Sequence, residues 1–518
     1  HDAVTTGAQH RRDSLAVALV HLAAVGLDVD AVHWRRRALA RRGGGGVNAV
    51  NLIPPAFGWE AGRAGPTKSA MSRLALFFAL LAAAVAAPSP PEAILVVLGD
   101  QHSAYERSAR FVARVDSLRA AHPGVPVAVL INGDSLEYGN AVARRSSGAV
   151  DFAVFAALAR RVPVVINLGN HEPEFFDVPE TVQRLRAAGL HIISGNLRNP
   201  ADGKPYADAS VRLRLGGREL TVVGITTDRL STYRVAIRPQ LDLADPVVWA
   251  RNHFPAILRD QGATSVVLSH CGLKADRAVL PLVPDGTLFA GAHDHLRFVH
   301  QEGKTVYFHS GSWMEFISVA RLEKTAGGIA WTVTTEALGE TPADPEIAGL
   351  VRETLARHLT KEEREIVGES SRAFGPGEAP RFVVEAARVA TQADAAMVGA
   401  TTFGAGLPAG GVTRFAFDAC VRFDGPLFTA EVDGSWLRRL VARSNQGPDT
   451  PWEKRSGENL VTVAPEVIDD RARYRFVTTD WVARNAASYL GDNAPTLVPH
   501  PSAKLKSAAL AALRSREK

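Results

Sequence analysis

Ile94-Leu95-Val96-Val97-Leu98-Gly99-Asp100-Gln101-His102 decides how the chain is read: an unbroken apolar run, then glycine, a carboxylate and an imidazole. A strand with one wet face alternates polar and apolar residues, whereas an uninterrupted apolar strand is covered on both faces. The flanking sequence repeats the pattern. Ala104–Ala120 carries apolar residues at helical spacing, and Val125–Ile131 is a second apolar run that ends in Asn132-Gly133-Asp134. A helix near Val150–Arg160, a strand Val164–Leu168 ending in Gly169-Asn170-His171-Glu172 and a helix near Thr181–Ala188 follow. Further strand-type runs stand at Leu220–Ile225, Ser265–Leu268, Thr287–Ala290 and Thr305–His309. The alternation predicts an α/β fold with a buried, parallel-type sheet in a first domain spanning residues 92–337.

Beyond it, residues 338–363 read as a linker helix, and residues 364–500 as a smaller α/β unit, glycine-rich at Gly404–Gly411. Its strand-type runs are Arg414–Phe417, Leu427–Val432 and Tyr474–Thr478, and the basic, alanine-rich residues 501–518 read as a solvated terminal helix. No repeat of solenoid length is visible.

The 518 residues, 46% hydrophobic and 22% charged, suffice for sizeable cores in more than one domain. The net charge of +5 is concentrated at the start, where residues 1–70 hold nine Lys/Arg against five Asp/Glu. Beyond Arg73 the two signs balance, which argues against a nucleic-acid polymer as partner. Cys271 and Cys420 fall in different domains, so no disulfide framework is read from them. Met71-Ser72-Arg73, the apolar Leu74–Ala83 and Ala84-Val85-Ala86 have the three parts of a secretory signal peptide over residues 71–86. That run falls well short of the roughly 20 apolar residues of a membrane span. Export to the periplasm or the extracellular space, with no integral membrane segment in the mature form, is therefore expected. Residues 1–70, ahead of that segment, are expected to be a non-native or disordered extension.

The polar residues of the first domain share one kind of position. Asp100 and His102, Asp134, and Asn170 with His171 follow its first three strands, His270 follows Ser265–Leu268, and His293 and His295 follow Thr287–Ala290. Carboxyl ends of strands are where open α/β sheets bind ligands. A lone Gly-Asp after a strand is usually a turn, but imidazoles, carboxylates and one amide at five strand ends suit two divalent cations, of which Zn, Mn, Fe, Co and Mg all fit. A shared carboxylate, for which Asp134 is the choice, would hold them as two-metal hydrolysis requires.

The order Asp100-x-His102, Gly133-Asp134, Gly169-Asn170-His171-Glu172, Ser269-His270 and Gly291-x-His293-x-His295 resembles the calcineurin-like metallophosphoesterases, and within them the exported 5′-nucleotidase and UDP-sugar hydrolase family. The resemblance implies a four-layer α/β/β/α catalytic domain followed by a smaller substrate domain, and two bound divalent ions. It places Asp100, His102 and His295 on one ion, Asn170, His270 and His293 on the other, and Asp134 on both. It makes His171 the catalytic histidine, with Glu174 where the family carries an aspartate partner. In the second domain it sets Phe423 and Trp481 as the rings that clasp a nucleobase, while Gly404 and Ala487 stand where the family has a phosphate-binding arginine and an aspartate. The implied activity is hydrolysis of a small phosphoester, first of all a nucleotide. A cyclic phosphodiester, a sugar phosphate or a thiosulfate ester is the alternative substrate, and a non-catalytic metal-binding recognition protein the alternative of another class.

Overall fold

The first strand runs over Ala93–Leu98 and all six of its residues are buried. Its alternate side chains enter two different cores. Ile94, Val96 and Leu98 pack with Phe111 and Val115 of the helix Tyr105–Ala121 and with Val154 and Phe155 of the helix Ala149–Ala159. Leu95 and Val97 point the other way, onto Val266, Leu268, Ala290 and Phe308 of a second sheet. Period-two alternation with both faces covered is why the run carries no polar residue.

A computed structural model describes residues 89–515 except 260–262, 340–341, 458 and 492. Residues 1–70 and the signal-type segment 71–86 lie outside the described residues, and so does any structural statement on them. Among the described residues no helix is long and apolar enough to cross a membrane.

The first sheet has the order Gly328–Ala337, Phe316–Thr325, Ala93–Leu98, Val127–Asn132, Val164–Asn167, His191–Ile193. Its last four strands are parallel, with Ile94 opposite Val127 and Val129 opposite Val164. The second sheet has the order Arg297–Glu302, Thr305–Ser310, Leu288–Gly291, Thr264–His270, Arg218–Thr226, Ser210–Leu215. Its outer face is covered by the helices Pro246–Ile257 and Leu273–Val279 through Trp249, Phe254, Leu273 and Val279. The layers are thus helix, sheet, sheet, helix. The strand pattern implied a buried, parallel-type sheet and the resemblance a four-layer α/β/β/α domain; the parallel strands are divided between two face-to-face sheets, as that layering requires, because each run has one face for helices and one for the other sheet.

Helices Pro345–His358 and Lys361–Arg364 follow the first sheet pair. Next comes a five-stranded sheet ordered Leu460–Val463, Ala395–Gly399, Arg473–Thr479, Pro426–Asp433, Val498–Lys504, with Ala379–Ala390 on one face and Gly434–Arg443 on the other. Two expectations fail here. Arg414–Phe417, read as a strand, opens the helix Arg414–Cys420, whose start is capped by Thr413 accepting from the Ala416 amide. The tail is not solvated: Leu505, Ala509 and Leu513, at helical spacing, are buried against Val383 and Val384. Basic residues on its other face hid an amphipathic helix.

Between the helices Tyr105–Ala121 and Ala149–Ala159, the Tyr105 hydroxyl donates to Asp151 Oδ2 at 2.9 Å in a buried contact. Burial pushes the Asp151 carboxyl up to about 7. The folded chain therefore keeps a proton that the unfolded chain releases near pH 4, and stability is lost as pH rises from about 4 through 7. An Asp151→Asn variant, which keeps the acceptor, is expected to melt higher than the parent at pH 8, by roughly 4 kcal/mol in stability, and to lose that advantage at pH 4. Thermal unfolding at both pH values checks this; a pH-independent difference would refute the assignment.

Candidate active site

Each of the candidate metal donors sits in the turn directly after a strand or at its last residue, and the backbone there is bent in an unusual way. Asp100, His102, Asp134, His293 and His295 all have positive φ, at 53°, 49°, 53°, 82° and 57°. Side-chain-bearing residues rarely adopt this conformation, which costs of order 1–3 kcal/mol apiece and gathers at functional sites. The turns are tied to one another: the His102 amide donates to the Asp134 carbonyl at 2.9 Å, and the His293 amide to Asp100 Oδ2 at 3.1 Å. Buried Glu172 gathers a third turn, accepting from the amides of Gly169, Asp134 and Ser135. A Cβ on Gly169 would stand 2.5 Å from Asp134 Oδ1, so only glycine lets the two turns meet.

Three donor groups result among the described residues. Asp100, His102 and His295 form the first, Asp134, His270 and His293 the second, and His102, Glu137 and His171 a third, with donor atoms in each group within 4.8 Å of one another. Within the first, the Nε2 atoms of His102 and His295 face each other at 3.0 Å. Within the second, His270 Nδ1 lies 2.7 Å from the Asn132 carbonyl, so it carries the proton and turns Nε2, 3.1 Å away, toward Asp134 Oδ2. Asp100 Oδ1 lies between the first two groups, 3.7 Å from His295 Nε2 and 4.0 Å from His270 Nε2. Asn170 donates its amide nitrogen to Thr232, while its Oδ1, like His293 Nδ1, is buried without a hydrogen-bond partner among the described residues.

Acceptor atoms facing one another in a buried site need a cation between them, a proton or a metal ion. Burial pushes His102 down to about 4 and His293 down to about 3, and drives His295 well below its ordinary value, so these imidazoles are neutral with free lone pairs. Burial also opposes charge on His270, but Asp134 outweighs it and pushes the imidazole up to about 10. A positive charge is thus favoured at the point between them. The donor types, the facing acceptors and the orphaned Asn170 oxygen all fit borderline-hard divalent ions.

His171 stands beside this centre. Its amide donates to Asp134 Oδ1 at 2.8 Å, and its Nδ1 is 3.2 Å from Glu174 Oε1. The longer glutamate reaches the imidazole because Pro173 has non-helical φ/ψ within the short turn Glu172–Glu174, and its second oxygen is anchored by the Tyr138 amide at 2.8 Å. Burial disfavours the imidazolium, yet Asp134 and Glu174 push His171 up to about 10. Asp177 caps the helix Val178–Ala187 and is structural.

Five of the candidate donors, His102, Asp134, Asn170, His293 and His295, line one cleft of about 1140 Å³ together with His171, Phe423 and Trp481. Phe423 is 57% and Trp481 49% exposed, so neither ring is core packing. Trp481 Nε1 donates to the Tyr489 hydroxyl at 3.1 Å.

Three residues packed around His102 and the cleft wall escaped the sequence reading. Glu137 lies 3.2 Å from His102 Nδ1, Arg422 pairs with Glu137, and Trp313 stacks on His102 with ring centroids 5.1 Å apart. Glu137 follows Asp134 by three residues and Arg422 precedes Phe423, so proximity to assigned positions was the available signal. Trp313 gave none.

The sequence model of the calcineurin-like phosphoesterase family matches residues 94–297. Among curated proteins, the apyrase of Aedes aegypti is 29% identical over 141 residues, 26% of this chain and 24% of that protein. The apyrase of Aedes albopictus is 26% identical over 153 residues, 28% of this chain and 26% of that protein. The matched segment spans about a quarter of the length of these relatives. Among solved structures, a 5′-nucleotidase precursor from Thermus thermophilus superposes with a TM-score of 0.54 at 16% identity, over 82% of this chain and 96% of its own. The sulfate thiohydrolase SoxB of Thermus thermophilus does so with a TM-score of 0.57 at 16% identity, over 83% and 95%. At such identity these likenesses speak to fold, and they run across both the paired sheets and the five-stranded sheet. Residues 94–297 are a calcineurin-like phosphoesterase domain, set in a chain with the two-part fold of the solved 5′-nucleotidases.

Proposed function

We propose that the chain is an exported hydrolase of small phosphoesters, nucleotides first among them, with two divalent cations held in the cleft. The observation that carries this is the convergence of donors from four strand ends on two points where buried acceptor atoms face one another, with Asn170 from a fifth strand end in the same cleft. Asp100, His102 and His295 would hold one ion, and Asn170, His270 and His293 the other, with Asp134 shared. Bound there, the ions supply Lewis acidity toward phosphoryl oxygens and a nucleophilic water near neutral pH.

The chain's own residues do the rest. Glu174 orients the His171 imidazole through Nδ1, which leaves Nε2 as the proton donor to a phosphoryl or leaving-group oxygen. The Asp134 carboxylate keeps that imidazole protonated and near the donors. Phe423 and Trp481 offer π-faces to a base without reading its identity. Residues 92–337 would thus be the catalytic domain and residues 364 onward the substrate domain. Export rests on the signal-type segment 71–86, and N-terminal sequencing of the secreted protein tests it.

A second reading keeps the chemistry and changes the substrate to an ester without a base. Gly404 and Ala487, which lack the polar groups that the resemblance places there, favour it. Phosphate release from AMP, ATP, UDP-glucose, a cyclic nucleotide and an aryl phosphate, with sulfate release from a thiosulfate ester, tests both on the metal-loaded protein. Turnover of the nucleoside phosphates ahead of the others supports the first reading; turnover of none of the panel refutes a hydrolase.

Trp481→Ala is expected to raise KM for AMP about fivefold to a hundredfold, since base stacking on an aromatic ring is worth about 1–3 kcal/mol. KM for the aryl phosphate should change less. Unchanged AMP kinetics would end the stacking assignment.

A further inference from the structure

The side chain of Arg422 is 6% exposed, yet it carries a full positive charge into the same cleft as His102, Asp134, His171 and His295. Burying a guanidinium is costly unless its five N–H groups are met by acceptors. Here the supply is short. One terminal nitrogen pairs with Glu137 Oε2, which also faces His102 and His171, and the other, among the described residues, reaches only the Thr401 carbonyl at 3.4 Å. Among the described residues, the buried Nε has no hydrogen-bond partner. Two rings lie within cation–π range of the guanidinium, with Cζ 5.4 Å from the Trp313 centroid and 5.1 Å from that of Phe423. A fixed, under-satisfied fork of donors beside a metal centre suits an oxyanion with several acceptors on one atom.

The position where the resemblance would place an arginine cannot serve. A Cβ built on Gly404 runs into the Ala419 carbonyl and comes within 2.8 Å of the Trp313 indole. Trp313 fills the space that a side chain there would need, and the same indole packs beside Arg422. The cation has another origin in the chain, next to the base-facing Phe423.

We propose that Arg422 is the substrate-binding cation of this cleft, contacting the phosphoryl oxygens of the substrate while Glu137 sets its position. The inference rests on the phosphoester reading of the site. The competing role is a clasp, in which the Arg422–Glu137 pair only ties the five-stranded-sheet part of the chain to the loop after Asp134.

Calorimetric titration of inorganic phosphate into the full chain at saturating Mn²⁺, with metal content measured on the same samples, separates the two. Arg422→Met is expected to weaken phosphate binding about ten- to a hundredfold at unchanged metal content. Arg422→Lys, which keeps a point charge without the fork, should lose less. Glu137→Gln removes the charge of the pair but keeps an acceptor for Arg422, and at saturating Mn²⁺ should weaken phosphate binding clearly less than Arg422→Met does. Equal weakening in Arg422→Met and Glu137→Gln would overturn the proposal in favour of the clasp, and so would unchanged affinity in Arg422→Met or no phosphate binding by the parent. Should Arg422→Met not fold, Arg422→Lys is compared with Glu137→Gln by the same criterion. Phosphate binding that depends on Arg422 in a protein that hydrolyses nothing would leave this inference standing and refute the hydrolase reading alone.

Discussion

The Asp134→Asn variant is expected to lose metal-dependent hydrolysis and to bind Mn²⁺ or Zn²⁺ at least about a hundredfold more weakly. Even partners one step removed from a metal ligand cost ten- to a hundredfold in affinity or activity. The geometry says why so small a change has so large an effect. Asp134 Oδ1 accepts the His171 amide at 2.8 Å, a bond that an asparagine oxygen can keep. The other oxygen faces His270 Nε2 at 3.1 Å. With an amide nitrogen in its place, an N–H fills the gap between the two and satisfies the imidazole lone pair. The cation is then no longer needed, one negative charge is gone from the centre, and the fold is undisturbed. Circular dichroism should show a melting temperature no lower than that of the parent. Parental activity in Asp134→Asn would contradict the placement of the metal centre.

His171→Ala should lower kcat about a hundred- to a thousandfold, the usual range for removing a positioned proton donor or oxyanion contact. Metal content should not change, because His171 meets the centre through its backbone amide and an imidazole outside both donor groups with His295 and His293. KM should move little. Loss of bound metal in His171→Ala, or a kcat within a fewfold of the parent, would assign the residue to structure instead of chemistry.

The strands that carry the proposed centre could be read from sequence because each is buried on both faces, and the candidate donors could be read because each follows or ends such a strand. Ala93–Leu98 and Val127–Asn132 are wholly buried, and Asp100 and Asp134 stand two residues beyond them. What the strand pattern by itself did not show is the partition of those strands, which only the resemblance implied. Leu95 and Leu268 meet across two sheets, yet either run looks the same in one sheet or two. Arg414–Phe417 misled because a short apolar run has no distinguishable period, and Thr413, its cap, decides for helix. Glu137, Trp313 and Arg422 were missed for a different reason: they come from three distant segments and acquire meaning only through their contacts with His102 and with each other. Gly404 appeared in the sequence as a lost arginine, whereas in the fold the Trp313 indole fills the space beside it.

The two-cation centre is tested most directly by the metal content of the purified chain. The protein is stripped with a chelator, reloaded with Mn²⁺ or Zn²⁺, freed of excess by gel filtration and analysed for metal per chain by mass spectrometry. Two ions per chain are expected, falling below one in Asp134→Asn. A parent protein that retains none, or that retains as much as Asp134→Asn does, would contradict the assignment of these seven residues to a binuclear site.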